Sequence, residues 1–215
     1  MTAVNRTDHL AEATERPRGR MAALPVRHQA GSRDLAAAQA AAAAMLAALG
    51  VDLTGESMAA TPGRMVRAYD ELLTPRDFDL TTFPNDEGYE QLVIERGIPV
   101  RSLCEHHFLP FTGSAYICYQ PGQRILGLSK LARVVELFAH RPQVQERLTQ
   151  QVADWLHDQL RPKGVGVVLV AEHLCMTLRG SRATGTTTVT SALHGLLLTD
   201  ARAREEFFTL AGVRT

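Results

Sequence analysis

Residues 91–119 read QLVIERGIPVRSLCEHHFLPFTGSAYICY. Three short runs within this stretch, at 91–95, 98–103 and 112–119, are rich in β-branched and aromatic residues, and glycine and proline separate them. Short runs of this composition, bounded by turn-forming residues, are typical of β-strands. We therefore predict consecutive antiparallel strands in the middle of the chain.

Helical patterns flank these strands. Upstream, an alanine-rich run predicts a helix over 34–49, and Thr61 followed by Pro62 predicts the start of a second helix. Downstream, helices are expected to begin at Ser129 and at Pro142, each with apolar residues on one face. The remaining expected elements are two strands and a short last helix, at 165–171, 184–191 and 200–212. Helices on either side of a run of antiparallel strands predict an α+β domain.

The first 30 residues differ in composition from the rest of the chain. They mix arginines with acidic residues and prolines and show no apolar period, so we predict a flexible N-terminal tail over residues 1–30. With 215 residues, of which 45% are hydrophobic, the chain suits one globular domain. We assign this domain to 31–215, with N-terminal helices over 34–73 and a sheet core over about 88–215.

Charge and cysteine content argue against several classes of protein. Lys and Arg total 23, as do Asp and Glu, so the net charge is zero and a non-specific nucleic-acid partner is not expected. Three cysteines do not suit a disulfide framework and no secretory leader is recognisable, so we expect a cytoplasmic protein. The longest largely apolar run, 36–49, is shorter than the roughly 20 residues of a membrane span, so no membrane partner is expected.

Two clusters combine cysteine with histidine, CEHH at 104–107 and HLC at 173–175. Cys104 and His107 are three residues apart, and together with Cys175 they form a soft nitrogen and sulfur set that suits Zn²⁺. Three protein ligands leave a position for water, as in a catalytic site, whereas His106 or His173 as a fourth ligand would close a structural site. Adjacent histidines point in different directions, so we place His106 beside the open position and favour a catalytic zinc.

A cationic group occupies the start of the helix predicted at Ser129. Lys130 and Arg133 lie in its first turn, where they oppose the helix dipole, so an anionic ligand is a reasonable explanation for them. Arg64 has a similar position after Thr61, although on its own it suits an ordinary surface residue.

Two polar residues, Gln145 and Glu146, follow Pro142 closely. A carboxylate at the start of a helix suits the dipole without any further role. It also accepts two parallel hydrogen bonds, which match the N1 and 2-amino donors of guanine. A zinc ion, a basic group and such a carboxylate together describe an enzyme that acts on a guanine nucleotide.

Four motifs then carry a resemblance to a known family. They are SLCEHH at 102–107, GLSKLAR at 127–133, RPQVQERL at 141–148, and EHLCM at 172–176 with Arg179 and Gly180 after it. In order and spacing they closely resemble GTP cyclohydrolase I, and the similarity extends from about Asp34 to the C-terminus.

The resemblance implies hydrolytic opening of the imidazole ring of GTP, with release of C8 as formate and formation of 7,8-dihydroneopterin triphosphate. This is the first step of pterin and folate biosynthesis. The implied architecture is the T-fold, an antiparallel sheet with helices on one side, here with an N-terminal helical segment. The implied assembly is a homo-oligomer, a pentameric barrel that doubles to a decamer with active sites between subunits.

The resemblance also assigns roles to residues. The implied zinc ligands are Cys104, His107 and Cys175. The implied proton carriers are His106 and His173. The implied substrate contacts are Gln145 and Glu146 for guanine, Ser129 for ribose, and Lys130, Arg133, Arg179 and Arg64 for triphosphate. Because the sequence predicts a strand through Arg179, we expect its side chain to extend away from Cys175 and toward a neighbouring subunit.

Two alternatives are open at this point. One is a zinc-stabilised binding module in which His106 or His173 closes the metal site. The other is a T-fold relative that acts on another purine or pterin, such as the nitrile reductase of the queuosine pathway. That enzyme depends on a nucleophilic cysteine and a nicotinamide cofactor and lacks the CEHH motif, which argues against it here.

Overall fold

The computed structural model describes residues 21–27 and 32–212. Its strands, in chain order, are β1 Ala22–Val26, β2 Phe78–Pro84, β3 Val93–Cys104, β4 Pro110–Gln120, β5 Arg124–Leu126, β6 Pro142–Gln143, β7 Gly164–His173 and β8 Thr188–Gly195. Its helices are α1 Leu35–Ala48, α2 Glu56–Ala59, α3 Thr61–Leu72, α4 Ser129–Ala139, α5 Gln145–Leu160, α6 Leu174–Thr177, α7 Leu196–Thr199 and α8 Ala201–Ala211.

The strands form two sheets. The larger sheet has the order β6-β3-β4-β7-β8 and the smaller one the order β1-β2-β5. Neighbouring strands run antiparallel, except that β3 and β6 pair in parallel where Cys104 lies opposite Gln143. The predicted α+β domain with an antiparallel sheet is confirmed.

Helices cover both faces of the larger sheet, to different extents. On one face Val165, Val167 and Leu169 of β7 belong to the main core, which α4 and α5 complete. On the opposite face a smaller cluster packs β7 and β4 against Leu197 of α7 and Phe207 of α8. The helices α4 and α5 therefore lie on one side, as expected, and the C-terminal helices α7 and α8 add partial cover on the other.

The sheet brings the ends of two strands together. Because β3 and β7 both run antiparallel to β4, their C-terminal ends lie at the same end of the sheet. At that end Phe111 of β4 pairs with His173 of β7, and Cys104 of β3 pairs with Gln143 of β6. The CEHH turn, the HLC segment and the start of α5 thus meet, which is why residues 71 positions apart share one site.

The strand β1 lies where the sequence predicted a flexible tail. It pairs with β2 along its whole length, and Arg27 Nη2 donates a hydrogen bond to Asp79 Oδ1 at 3.0 Å. The tail prediction is therefore wrong for 22–26, because backbone pairing orders a segment that has little apolar pattern of its own. Residues 1–20 and 28–30 of the predicted tail lie outside the described residues.

Pro142 does not begin a helix, contrary to prediction. It belongs to β6, Val144 remains extended with φ −106° and ψ 145°, and α5 begins at Gln145. Pairing of β6 with β3 holds the chain extended beyond the proline. The strand predicted from residue 184 likewise begins only at Thr188, because Gly185 has φ +78°, in the left-handed region that strands do not use.

The N-terminal helices follow their sequence signals. The Asp34 side chain accepts a hydrogen bond from Ala37 N at 2.8 Å and caps α1, and α3 has proline in its first turn. Within the two described ranges, no helix combines the length and apolar character that crossing a membrane requires.

Candidate active site

The three predicted metal ligands converge. Cys104 is the last residue of β3, His107 lies in the turn that follows, and Cys175 is in α6, immediately after β7. One ligand atom from each side chain lies within 4.8 Å of the other two. The distance between Cys104 Sγ and Cys175 Sγ is 3.8 Å, and that between Cys104 Sγ and His107 Nδ1 is 4.0 Å.

These distances suit zinc. Two sulfur ligands about 2.3 Å from zinc, at the tetrahedral angle, are separated by roughly 3.8 Å. The two cysteine sulfurs have this separation, and all the cysteines of the described chain are free thiols. Two thiolates and an imidazole are also the soft donors that zinc prefers over magnesium or calcium. The residues therefore fit a zinc ion.

A tight turn holds His107 beside Cys104. Cys104 N donates to Leu109 O at 2.9 Å, and Phe108 N donates back to Cys104 O at 2.8 Å. Phe108 has φ +55°, a conformation that costs a non-glycine residue energy but that reverses the chain here. The turn brings the His107 side chain back toward the end of β3.

His106 lies near the ligands but outside the convergent group. Its Nδ1 is 3.9 Å from Cys104 Sγ, and the side chain is exposed. Among the residues that the structure describes, the cluster within 4.8 Å consists of Cys104, His107 and Cys175. This arrangement argues against the closed four-ligand site that a zinc-stabilised binding module requires.

His173 is half-buried and fixed on two sides. Its ring stacks on Phe111, with 4.6 Å between centroids and 13° between planes, and its Nε2 lies 2.8 Å from Gln145 Oε1. Burial lowers the pKa of His173, while the negative charge of Glu146 acts in the opposite direction. Its imidazole is therefore biased toward the neutral form, which can accept a proton.

The two residues predicted to contact guanine differ in environment. Glu146 is exposed in the first turn of α5, and its charge acts on His173. Gln145 is 1% exposed, and its Nε2 donates to Leu169 O at 3.0 Å and to Thr188 O at 2.9 Å. The expected guanine contact suits Glu146, but the buried amide of Gln145 argues against such a contact for its side chain.

The predicted phosphate and ribose residues of α4 are not gathered at the metal ligands. The C-terminal end of α4 lies beside β3, because Ser102 Oγ donates to Ala139 O at 2.6 Å. Ser129 is ten residues earlier, which separates it from Ala139 by roughly 15 Å along the helix. Lys130 lies beside Ser129 at that distant end of α4, and Arg133 forms an ion pair with Glu136 at 3.2 Å.

The two remaining predicted cations have different positions. Arg179 follows α6 in a turn, so the predicted strand is wrong there, because the chain leaves β7 through a helical turn at 174–177. Burial raises the pKa of Cys175, and the charge of Arg179 has a smaller effect in the opposite direction. Arg179 therefore lies near the ligand of its own chain. Arg64 Nη2 donates to Ser57 O at 2.6 Å and to Thr61 Oγ1 at 2.7 Å, within its own helical segment.

Sequence reasoning missed one ion pair in the site. Arg147 Nη1 and Nη2 bind the Glu105 carboxylate in a bidentate pair, at 2.7 and 2.9 Å. Hydrogen bonding from Arg147 is the largest cause that lowers the pKa of Glu105. The pair ties the CEHH turn to the first turn of α5. A glutamate inside the metal motif and an arginine that opposes the α5 dipole were the available signals.

Comparison with known proteins identifies related sequences. The family model described as GTP cyclohydrolase I matches residues 38–212. A protein from Aquifex aeolicus, GTP cyclohydrolase 1, is 50% identical over 165 residues, which cover 77% of this chain and 90% of the relative. A protein of the same name from Mycolicibacterium paratuberculosis is 48% identical over 189 residues, with 85% and 92% covered.

Among solved structures, the apo form of the archaeosine synthase QueF-Like is similar over 48% of this chain and 93% of its own, with TM-score 0.41 and 16% sequence identity.

Proposed function

The chain belongs to the GTP cyclohydrolase I family, and we propose that it hydrolyses GTP at a zinc ion held by Cys104, His107 and Cys175. The reaction opens the imidazole ring, releases C8 as formate and yields 7,8-dihydroneopterin triphosphate, the entry to pterin and folate biosynthesis. The observation that carries the proposal is the convergent group of two thiols and one imidazole, with the 3.8 Å sulfur separation of a tetrahedral site.

Zinc bound by three protein ligands supplies an activated water, because it lowers the pKa of that water to about 7. His106 and His173 lie close to the ligands without joining them, so they are the groups that would carry protons to and from the purine ring and the ribose. Burial favours neutral His173, which can accept a proton near neutral pH.

Glu146 is proposed to bind guanine. Its exposed carboxylate accepts two hydrogen bonds and lies near enough to His173 for its charge to be felt there. A carboxylate in this position would fix the base relative to the proton carrier. The triphosphate would then extend toward cations, for which Lys130, Arg133, Arg179 and Arg64 are the proposed residues, with Ser129 at the ribose.

We propose that Ser129 and Lys130 reach the metal site of a neighbouring subunit in a homo-oligomer, a decamer of two pentamers, whereas Arg179 lies near the ligands of its own chain. The roughly 15 Å between the two ends of α4 supports sharing, because Ser129 and Lys130 lie at the end away from the metal ligands. Within the described chain, β8 pairs on one side only, with β7, and β6 covers just the last two residues of β3. Pairing of these open edges between subunits would remove them from solvent and close a barrel.

An apolar groove of about 770 Å³ between α1 and α3 supports a further contact. Met45, Met65 and Tyr69 line it, together with His107 and Phe108. We propose that this groove packs against the second pentamer. Three free cysteines suit a reducing cytoplasm, where we place the protein.

Turnover and metal content of cysteine variants test the proposal. The wild-type protein incubated with GTP should release formate and yield a pterin that fluoresces after oxidation. Cys104→Ser and Cys175→Ser should lose bound zinc and turnover together. The matched control is Cys118→Ala, because burial, with a smaller effect of Glu206, raises the pKa of that core thiol to about 12. Full zinc content in both serine variants, or no formate from the wild type, would contradict the proposal.

A further inference from the structure

The buried amide of Gln145 lies between the start of α5, the strands β7 and β8, and the imidazole of His173. We propose that Gln145 is a positioning residue that holds the His173 ring as the tautomer with its hydrogen on Nε2, so that the lone pair lies on Nδ1. The inference rests on the proposed function, in which His173 carries protons. It gives Gln145 a role other than contact with the base.

The first step is the orientation of the amide. Gln145 Nε2 lies 3.0 Å from Leu169 O and 2.9 Å from Thr188 O. Backbone carbonyls only accept hydrogen bonds, so the atom that faces both of them must be the NH₂ group. A flipped amide would point its oxygen at two carbonyl oxygens in a site that is 1% exposed. The atom that faces His173 is therefore the amide oxygen.

A chain of hydroxyl groups supports this orientation. Thr149 Oγ1 donates to Gln145 O at 2.8 Å, so the only hydrogen of this hydroxyl is used. The 2.6 Å contact between Thr149 Oγ1 and Thr190 Oγ1 must then be donated by Thr190. Thr190 Oγ1 in turn has a lone pair toward Gln145 Nε2, 3.2 Å away. The donors and acceptors around the amide are consistent with one orientation.

The second step assigns the proton on His173. Gln145 Oε1 is an acceptor only, and it lies 2.8 Å from His173 Nε2, so Nε2 carries a hydrogen. In a neutral imidazole the other nitrogen, Nδ1, then has the lone pair. A ring flipped by 180° would place a carbon opposite Gln145 Oε1 and lose the bond. Stacking of the ring on Phe111, with 13° between planes, holds the plane of the ring, and the bond to Gln145 Oε1 selects between the two flips.

The arrangement suits proton transfer. When Nδ1 accepts a proton, the bond from Nε2 to Gln145 Oε1 remains and becomes charge-assisted. The ring therefore keeps one position in both protonation states, and no reorientation accompanies the transfer.

Replacement of Gln145 by methionine tests this role by kinetics. The side chain keeps its approximate length but loses the acceptor for His173. We expect kcat to fall about 10–100-fold, as for other groups that orient a functional histidine from behind, with KM for GTP and bound zinc unchanged. A rise in KM with unchanged kcat would overturn the inference and favour contact with guanine.

Gln143→Met is the matched control. Gln143 is 0% exposed and donates to Phe138 O at 3.0 Å and to Gln151 Oε1 at 2.8 Å, and neither acceptor belongs to a histidine. Gln143→Met also removes a buried amide that donates two hydrogen bonds. We expect its kcat to stay within about threefold of the wild type, well above that of Gln145→Met. Equal losses of kcat in the two variants would show a structural effect and overturn the inference.

Neutron diffraction on the zinc-loaded wild-type protein gives a readout that needs no turnover. At a pH about two units above the ordinary histidine pKa of 6.5, the expected result is a deuteron on His173 Nε2 and none on Nδ1. A deuteron on Nδ1 would overturn the inference, even if Gln145→Met failed to fold. A wild-type protein that does not hydrolyse GTP would contradict the proposed function while the observed tautomer still decided the role of Gln145.

Discussion

Gly113 of β4 is the position at which one added methyl group should disturb both the fold and the metal site. It pairs with Ala171 of β7, and a Cβ atom at Gly113 would lie 2.6 Å from Ala171 Cα and even closer to Val170 O. Non-bonded carbons prefer about 3.5 Å, so the two strands would have to separate by about 1 Å. Both neighbours are backbone, which no side-chain rotation relieves.

The magnitude follows from the ladder that the separation breaks. A shift of about 1 Å lengthens the two adjacent interstrand hydrogen bonds beyond their useful range. Each lengthened bond leaves buried polar groups unsatisfied, which costs about 1–2 kcal/mol. Gly113→Ala should therefore lower the free energy of unfolding by roughly 3 kcal/mol. The same shift moves Phe111 and His173 relative to β3, so zinc affinity should also fall.

Urea unfolding followed by circular dichroism, at one protomer concentration, measures the first effect, and competition with a chelator measures the second. The control is Gly55→Ala, because a Cβ at Gly55 has no heavy atom within 4 Å and its φ is −68°. That variant should change stability by less than about 1 kcal/mol. Equal stability and equal zinc affinity in the two variants would refute the reasoning.

Three other substitutions have defined outcomes. Burial raises the pKa of Glu136, but hydrogen bonds from Arg76 outweigh burial and lower it to about 2, from an ordinary value of 4.5. The pair therefore stabilises the fold above pH 4.5 and loses this contribution as the pH falls toward 2. Because solvent around exposed Arg76 weakens the pair, Glu136→Gln should lower the free energy of unfolding by roughly 1 kcal/mol at pH 7 and weaken the acid dependence of urea unfolding. An unchanged pH profile would contradict this. Glu146→Gln should lower kcat/KM for GTP, by up to about four orders of magnitude, because a guanine donor loses its charged acceptor; unchanged kinetics would assign Glu146 to the α5 dipole alone. His173→Ala should keep its zinc while kcat falls by about two to four orders of magnitude, and loss of zinc equal to that of Cys175→Ser would instead indicate a fourth ligand.

The metal group could be predicted from the sequence, because ligand chemistry and the positions of the strands both point to it. Cys104 and His107 are close in the chain, and Cys175 follows a β-branched run that was recognisable as β7. Glu146 could likewise be singled out from the sequence, since a carboxylate in the first turn of a predicted helix is recognisable there.

Tertiary contacts decided what the sequence alone could not. The periodic pattern does not reveal that Gln145 turns inward to β7 and β8, because its neighbour Glu146 is equally polar but exposed. Pro142 is extended because Gln143 of β6 pairs with Cys104 of β3, a contact between distant segments. The strand β1 depends in the same way on pairing with β2. Lys130, which we propose reaches a neighbouring subunit, lies at the end of α4 away from Ala139, so its role depends on an assembly that one chain does not describe.

The dependence of GTP hydrolysis on bound zinc is the decisive quantity for the proposed function. Protein freed of metal by a chelator would be titrated with Zn²⁺, with formate release, bound zinc and circular dichroism measured at each point. We predict a metal-free protein that stays folded and inactive, and a rate that rises in proportion to zinc up to one ion for each Cys104, His107 and Cys175 group. Hydrolysis by the metal-free protein at the full rate, or unfolding on removal of zinc, would contradict a catalytic zinc at this site.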